Sequence, residues 1–348
     1  MSSLPATTSP SPDGVATRTA AAIDRLLSLG DSTIPFAIRA AGTLGLADHL
    51  AAGPMTVDDL AVATGTHPPS LRRLLVALAS CGIFEEVEAD RFGLAPPGEL
   101  LRSDHPISLR DAYRLSALEA GAWAELVHSL STGTAAFEHA YGVGHRRYRA
   151  EHAEEDERMD RAHRAATRLD VLTVVRAYDW PRAGTVVDVG GGTGALVAGL
   201  LGRFKSMRAV LFDLPRMVAR AGEVLEPAGI GQRCRVVGGD FFVAVPEGGD
   251  VYVLKAVLGG WDDAAAGRIL GTIRRAMGPS SRLLVIEPIL DYGAGFTVGN
   301  VVHLQSLVLY GGPDRTREDY ERLFASAALA LTRVVPRATL PIIEAAPV

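Results

Sequence analysis

A glycine-rich turn between two apolar segments constrains the fold of this chain more than any other feature. Residues 185–189 read Thr-Val-Val-Asp-Val and predict a strand buried on both faces, and a helical pattern runs from Leu196 to Phe204. Between them a helix N-terminus offers unpaired N–H groups, and glycine lets backbone approach a ligand closely. The segment predicts a site for a small polar ligand at four glycines: Gly190, Gly191, Gly192 and Gly194.

The glycine spacing alone leaves the ligand open. Gly190, Gly192 and Ala195 also fit the G-x-G-x-x-G/A fingerprint of dinucleotide-binding proteins. Asp188 lies two residues before the first glycine, and a carboxylate there holds a cationic group and repels a pyrophosphate. Asp188 therefore favours a ligand with a positive charge, and a turn without any ligand is the least favoured interpretation.

Length and composition predict an ordinary soluble protein of two domains. The chain has 348 residues, of which 48% are hydrophobic and 22% charged, and its net charge is −5 from 35 basic and 40 acidic residues. This balance gives no electrostatic reason to bind nucleic acid. The sequence contains no uninterrupted apolar run of about 18 residues, so it predicts no membrane span. Two isolated cysteines, Cys81 and Cys234, predict a reducing cytoplasm, without a disulfide framework or a metal site.

The N-terminal part predicts a disordered leader followed by a helical domain with a winged-helix pattern. Residues 1–14 are rich in Ser, Pro and Thr, and residues 15–105 contain amphipathic helices, a turn at Gly65, a helix over 69–80 and a hairpin. A winged helix raises DNA binding as a rival function. However, the second helix carries only Arg72 and Arg73, and the wing is acidic, which repels phosphates. Dimerisation and covering of a pocket are the favoured roles for this domain.

The middle and C-terminal parts predict a helical linker and a parallel α/β domain. Residues 106–178 are assigned to the linker, with a helical pattern throughout from Ile107 to Tyr178. Residues 179–348 alternate strands with helices and end in a hairpin, which predicts a doubly wound, mostly parallel sheet. Ligands of such sheets lie at the carboxyl ends of the strands. The residues there are Asp188, Asp213, Asp240, Leu258 to Trp261, and Glu287.

Several ordered motifs across nearly the whole chain resemble one enzyme family. They are Asp188-x-Gly190-x-Gly192-x-Gly194, Phe212-Asp-Leu-Pro215, Gly239-Asp-Phe-Phe242, Leu254-Lys255 and Gly311-Gly-Pro-Asp-Arg-Thr316. Together they resemble the S-adenosylmethionine-dependent O-methyltransferases related to plant caffeate methyltransferase and to bacterial natural-product methyltransferases. The resemblance implies a Rossmann-like methyltransferase domain with a seven-stranded sheet. It also implies an N-terminal winged-helix domain that forms a homodimer, and a cytoplasmic enzyme that binds neither nucleic acid nor membrane.

The resemblance assigns the cofactor site residue by residue. Asp213, with Leu214 beside it, matches the family's acid that accepts the two ribose hydroxyls, a charge-assisted bond. Asp240 and Phe241 match the adenine site, and Lys255 matches a lysine near the cofactor. The alternative for Asp213 and Asp240 is that each caps the segment that follows it. The implied S-adenosylmethionine site also includes Asp188, Gly190 and Gly192.

The catalytic stretch departs from the family pattern. The family usually has Leu-His-Asp-Trp-Asp-Asp, with His as general base, whereas this chain has Leu-Gly-Gly-Trp-Asp-Asp at residues 258–263. Asp314 matches the glutamate that orients that histidine. His163 and His303 replace residues that the family commonly has in its pocket, and we hypothesise that one of them is a relocated acid–base group, with Asp314 nearby. The alternative is that both are structural histidines.

Three functions are compatible with these residues. The favoured one is a methyltransferase that acts by proximity on an aromatic or polyketide-like natural product, since an acidified hydroxyl needs no base. In the second, the bound sulfonium is an electrostatic element for hydroxylation, decarboxylation or pericyclic chemistry, as in some relatives of the family. The third is a non-catalytic binding or regulatory protein, which the intact cofactor motifs disfavour. The sequence does not identify the acceptor molecule.

Overall fold

The computed structural model describes residues 12–181, 183–290, 298–312, 315–336 and 340–348. They form two compact units, one ending at Leu115 and one beginning at Ser116. Most of the predicted leader, residues 1–14, and Asp314 lie outside the described residues. In the described part of the chain, no helix is both long enough and apolar enough to span a bilayer. The predicted boundaries at 105/106 and 178/179 stay predictions.

The N-terminal unit consists of helices and a small antiparallel sheet with strand order β1-β3-β2. Thr56 caps a helix by accepting a hydrogen bond from the N–H of Asp59, and Gly65 ends that helix in the left-handed conformation. Its elements are α1 (Pro12–Gly30), α2 (Thr33–Leu44), α3 (Leu46–His49), β1 (Met55–Thr56), α4 (Val57–Thr64), α5 (Pro68–Ser80), β2 (Phe84–Glu88), β3 (Arg91–Leu94) and α6 (Pro96–Glu99).

The predicted helices and hairpin of the winged-helix pattern are present in this unit, and a two-residue strand, β1, extends the hairpin. Arg72 on the second helix forms ion pairs with Asp90 (2.5 Å) and Glu86 (3.7 Å) of the hairpin. These contacts engage one of the two basic side chains on which DNA binding would depend, which argues against that hypothesis.

The C-terminal unit begins with five helices that precede the sheet. They are α7 (Ala117–Ala124), α8 (Leu126–Thr132), α9 (Ala136–Tyr141), α10 (His145–Glu151) and α11 (Ala153–Ala177). The prediction of helix throughout 107–178 was wrong for residues 107–116, which form turns and irregular backbone. Apolar spacing alone does not distinguish a helix from a series of turns that packs similar side chains inward.

The remainder of the C-terminal unit is the predicted α/β domain, with sheet order β6-β5-β4-β7-β8-β10-β9. All neighbouring strands from β6 to β8 pair in parallel, and β10 pairs antiparallel with β8 and β9. The elements are β4 (Ala183–Val189), α12 (Ala195–Arg203), β5 (Ser206–Asp213), α13 (Pro215–Val218), α14 (Gly222–Leu225), β6 (Cys234–Gly238), β7 (Val251–Lys255), α15 (Asp263–Ala276), β8 (Arg282–Ile286), α16 (Val298–Tyr310), α17 (Arg317–Ser326), β9 (Leu329–Val335) and β10 (Ile342–Pro347).

The central strands alternate side chains between two apolar layers. On β4, Val187 and Val189 pack in the layer that contains α15, whereas Val186 packs in the layer that contains α11 and α12. The apolar runs over 251–258 and 282–290 predict two strands that end earlier in the structure. β7 stops at Lys255 because the backbone turns into a short 3₁₀ helix, Leu258–Gly260, and β8 stops at Ile286. Both early ends fall at the edge of the sheet where ligands are expected.

The packing of α12 on α11 gives a test of this arrangement. A Cβ added to Gly199 would lie 2.1 Å from Cγ1 of Val171, whereas one added to Gly202 would meet nothing within 4 Å. Gly199→Ala should lower the free energy of unfolding by about 1–3 kcal/mol, because overlap outweighs the gain in helix propensity. Gly202→Ala should raise it by about 0.5–1 kcal/mol. Urea unfolding of both variants checks this, and equal stabilisation would contradict the packing of the two helices.

Candidate functional site

The loop after β4 has the conformation that its glycines allow. Gly190, Gly192 and Gly194 have φ angles of 74°, 59° and 91°, in the left-handed region that favours glycine. A Cβ on Gly190 would lie 2.8 Å from Cγ2 of Val257, whereas the space beside Gly192 is open. The loop is anchored to β5, because the N–H groups of Gly190 and Gly191 donate to the carbonyl of Phe212 at 2.8 and 3.3 Å.

Asp188 is a buried carboxylate at the end of β4. Its side chain is 1% exposed, and its Oδ2 atom has no hydrogen-bond partner among the described residues. Burial and the nearby charge of Asp213 raise the pKa of Asp188 to about 7, although the charge of Lys255 acts in the opposite direction. An unpaired buried carboxylate oxygen is costly unless a ligand binds it. Asp188 therefore suits a group that brings an N–H donor or a positive charge.

Asp213 ends β5 beside the same loop. Its two carboxylate oxygens accept the N–H groups of Gly192 at 2.8 Å and of Leu214 at 2.6 Å. Burial raises the pKa of Asp213, and these two hydrogen bonds oppose the rise. Each oxygen keeps a lone pair that can accept a further hydrogen bond. The structure thus brings Asp188, Asp213 and the glycine loop together, as the sequence predicts.

Asp240 and Phe241 follow β6. Asp240 is exposed, and its Oδ1 atom accepts the N–H of Phe242 at 2.8 Å, which is the capping role that the sequence left as an alternative. The Phe241 ring lies edge-on to Phe242 and Trp261, with centroids 5.0 and 6.1 Å apart. These residues provide an aromatic edge and a carboxylate beyond Asp213.

Lys255 lies at the end of β7 but contacts α11. Its Nζ atom lies 2.7 Å from Oδ2 of Asp170 and 3.2 Å from the hydroxyl of Thr167. The ion pair attaches α11 to the end of β7, the central strand of the sheet. The predicted cofactor-binding role of Lys255 therefore stays a prediction, and its described contacts are structural.

Glu287 is a buried acid that the sequence placed at a strand end without assigning it a role. Its carboxylate accepts the N–H groups of Leu258 at 2.6 Å and Gly259 at 3.0 Å and the hydroxyl of Tyr320 at 3.1 Å. Burial raises its pKa, and these hydrogen bonds oppose the rise. Glu287 thus holds the backbone of the stretch in which the family's histidine is replaced by Gly259.

The two candidate catalytic histidines differ in their surroundings. The side chain of His163 on α11 is exposed to solvent. The protein atoms packed around it, together with the charges of Arg149 and Lys255, lower its pKa to about 4. His303 on α16 is buried, with 9% of its surface exposed. At neutral pH His163 is uncharged and a weak base, and the hypothesis that either histidine replaces the missing base stays a prediction.

Arg146 is a site residue that the sequence did not reveal. It lies on α10, and its Nη2 atom donates to the carbonyl of Gly260 at 2.5 Å. Its guanidinium lies 4.1 Å from the ring centroid of Trp261, a cation–π contact, and 5.9 Å from that of Tyr310. No local pattern around Arg146 signals this contact, because its partners are more than 100 residues away.

The residues at this edge fit a nucleoside that carries a cationic chain. An unpaired oxygen of Asp188, the acceptor oxygens of Asp213 and the open space beside Gly192 suit a positively charged group and a pair of hydroxyls. A pyrophosphate would meet two carboxylates and be repelled. The dinucleotide alternative that the glycine spacing allows is therefore disfavoured.

The raised pKa of Asp188 predicts how stability depends on pH. The folded protein keeps a proton on Asp188 up to about pH 7, whereas the unfolded chain releases it near pH 4. The free energy of unfolding should therefore fall as the pH rises through this range. Asp188→Asn should lack this loss and gain about 1 kcal/mol or more relative to the wild type between pH 5 and 8. Urea unfolding at both pH values checks this, with the exposed Glu226→Gln as control, and a gain that is independent of pH would contradict it.

Comparisons with known proteins identify the family of this chain. Residues 123–330 match the model of the O-methyltransferase domain, and residues 27–104 match that of the O-methyltransferase dimerisation domain. Phenazine O-methyltransferase PhzM of Lysobacter antibioticus is 41% identical over 310 residues, which cover 88% of this chain and 91% of that protein.

Two further relatives bear on the chemistry. The crystal structure of an O-methyltransferase from neocarzinostatin biosynthesis, in complex with S-adenosylmethionine and 2-hydroxy-5-methyl naphthoic acid, matches with a TM-score of 0.75 and 34% identity, over 92% of this chain and 98% of that one. Aclacinomycin 10-hydroxylase RdmB of Streptomyces purpurascens is 34% identical over 325 residues, 91% of this chain and 87% of that protein.

Proposed function

Because this chain belongs to the O-methyltransferase family, we propose that it transfers the methyl group of S-adenosylmethionine to an acidic hydroxyl of a small aromatic or polyketide-like natural product. The observation that carries the proposal is the group of Asp188, Asp213 and the glycine loop, with an unpaired carboxylate oxygen on Asp188. The family relationship identifies the cofactor, and the chemistry of these residues suits it.

The proposed cofactor contacts follow from the polar atoms at the strand ends. When bound, S-adenosylmethionine supplies an electrophilic methyl carbon on a sulfonium. Asp213 would accept the ribose hydroxyls, Asp188 would hold the cationic end of the amino-acid chain, and Asp240 with Phe241 would bind the adenine. Neutral aromatic and apolar side chains around the bound cofactor would exclude water from the reacting atoms.

Methyl transfer without a histidine base is energetically reasonable for an acidic acceptor. Holding nucleophile and electrophile in line contributes about 7–11 kcal/mol, whereas a general base contributes a factor of about 10²–10⁴ in rate. An ordinary phenol is ionised to about one part in a thousand at pH 7, so an acceptor that is already ionised recovers the missing factor. Gly259 leaves this chain dependent on the acidity of its acceptor.

A non-methylating reaction is the second candidate. Two observations support it. Gly259 stands where the family usually has its histidine base, and a hydroxylase is among the relatives of the chain. In this case the bound sulfonium would act as a fixed positive charge that stabilises negative charge in the substrate. The same cofactor site would serve both candidates.

The proposed N-terminal homodimer rests on the dimerisation domain and on an apolar helix surface. Helix α1 exposes four large apolar side chains that are 53–72% accessible: Ile23, Leu26, Leu27 and Leu29. Exposed apolar stripes of this kind mark protein interfaces. We infer that a second copy of this chain covers α1.

Cofactor binding and methyl transfer test the proposed function together. Calorimetry should detect binding of S-adenosylmethionine, and Asp213→Asn should weaken it about tenfold or more, because a charge-assisted hydrogen bond is lost. Glu226→Gln should bind as the wild type does. Incubation with methyl-labelled cofactor and polyhydroxylated aromatics should yield S-adenosylhomocysteine and labelled acceptor. Product formation without label would favour the second candidate, and absence of cofactor binding would refute both.

Restoring the histidine tests whether the missing base limits the rate. A Cβ on Gly259 would lie 3.6 Å from Oε2 of Glu287, an ordinary contact, so a side chain can begin at this position next to a carboxylate. Gly259→His should raise kcat/KM for weakly acidic phenols by up to about 10² and leave that for ionised acceptors unchanged. Gly259→Ala provides the control for the added Cβ. Equal changes for both acceptor types would count against base loss.

A further inference from the structure

Arg146 lies directly against the stretch that has lost its catalytic side chains. Its guanidinium occupies the position of a side chain at residue 260, since a Cβ on Gly260 would lie only 1.8 Å from Nη2 of Arg146. The hydrogen bond to the Gly260 carbonyl and the stacking on Trp261 hold it there. A side chain at residue 260 is therefore incompatible with this position of the arginine.

Among the residues that the structure describes, Arg146 differs from other cations of its unit because it forms no ion pair with an acid. Three nearby cations form ion pairs with carboxylates: Arg149 with Asp156 at 2.6 Å, Arg158 with Glu119 and Glu155 at 2.7 Å each, and Lys255 with Asp170 at 2.7 Å. Arg146 has no carboxylate within 4 Å among the residues that the structure describes. Glu287, the buried acid that holds the backbone of this stretch, is bound to two backbone N–H groups and to Tyr320.

Arg146 also remains available to a ligand. Its side chain is accessible to solvent, yet burial lowers its pKa, with Arg149 adding to the effect and Tyr310 opposing it. Two aromatic rings lie beside the guanidinium, with the Trp261 centroid at 4.1 Å and the Tyr310 centroid at 5.9 Å. Such a setting suits a flat aromatic molecule with a negative charge.

We propose that Arg146 binds an ionised oxygen of an aromatic acceptor and thereby replaces the missing base by stabilising the anion. This inference rests on the proposed methyl transfer and adds the residue and the charge of the acceptor. A guanidinium next to an acidic group lowers the pKa of that group by about one to three. At neutral pH this increases the ionised fraction of a phenol roughly 10- to 1,000-fold, which overlaps the factor of about 10²–10⁴ that a base supplies.

The reaction balances without a proton acceptor in the protein. The acceptor hydroxyl loses its proton to water when its anion binds Arg146. The phenolate oxygen then forms a bond to the methyl carbon, the carbon–sulfur bond breaks, and its electron pair returns to sulfur. An anion and a sulfonium are thus converted to a neutral ether and a neutral thioether. Arg146 keeps its charge and loses its anionic partner, which favours release of the ether.

Three naphthalene probes separate the possible sources of the anion. They are 1-naphthol, 2,4-dinitro-1-naphthol, whose hydroxyl is ionised at neutral pH, and 1-hydroxy-2-naphthoate, which carries a carboxylate. Equilibrium dialysis of each probe, with the wild type, Arg146→Gln and Arg146→Lys, measures binding whether or not a methyl group is transferred. Arg147→Gln is the matched control, because Arg147 is the exposed neighbour and pairs with Glu151.

The inference predicts a loss of at least about tenfold in affinity for the anionic probes in Arg146→Gln, no comparable loss for 1-naphthol, and partial retention in Arg146→Lys. The inference is supported if Arg146→Gln loses affinity for the dinitronaphthol and the acid limb of its kcat/KM profile for 1-naphthol moves to higher pH by about one unit or more. The bound anion is then the reacting oxygen. If Arg146→Gln loses affinity only for the hydroxynaphthoate and the profile does not move, the bound anion is the carboxylate, and the replacement of the base by Arg146 is overturned.

A second variant tests the geometry without removing the charge. Gly260→Ala should displace the guanidinium and cause the same selective loss, and the double variant should be no weaker than Arg146→Gln alone. The inference is overturned if Arg146→Gln binds all three probes as Arg147→Gln does. Failure of the proposed function would appear separately, as absence of S-adenosylhomocysteine with the wild type despite normal probe binding.

Discussion

The attachment of the glycine loop to β5 is the constraint on which the rest of the site depends. The Gly190 and Gly191 N–H groups donate to Phe212, and Gly192 donates to Asp213, so the end of β4 is fixed to the end of β5. Left-handed backbone at three glycines makes this possible, because side chains there would be strained. As a result Asp213 lies close enough to Asp188 for its charge to raise the pKa of Asp188.

Hydrogen bonds to buried side chains hold the backbone around Gly259. Glu287 accepts two backbone N–H groups and the Tyr320 hydroxyl. Arg315 adds hydrogen bonds to the carbonyls of Leu258 and Trp261 from the other side. A buried carboxylate and a buried guanidinium thus keep the stretch ordered although two adjacent residues lack side chains.

Features that depend on local spacing were predictable from the sequence, and those that depend on distant contacts were not. The strand, turn and helix around Asp188 and the acid at Asp213 follow from buried runs and turn residues, and the sheet follows from their alternation. The early end of β7 was missed because Val257 and Leu258 continue an apolar run while the backbone already turns. Arg146 was missed because its importance comes from the missing side chain at Gly260, 114 residues away.

Helix α11 connects features that the sequence treats separately. Three ion pairs attach it to its surroundings. Arg158 pairs with Glu119 and Asp160 with Arg220 in the first half of the helix, and Asp170 pairs with Lys255 in the second half. One continuous helix of 25 residues therefore joins the preceding helices to the sheet, and a shift at one attachment displaces the others. Insertions or deletions in α11 would uncouple these attachments.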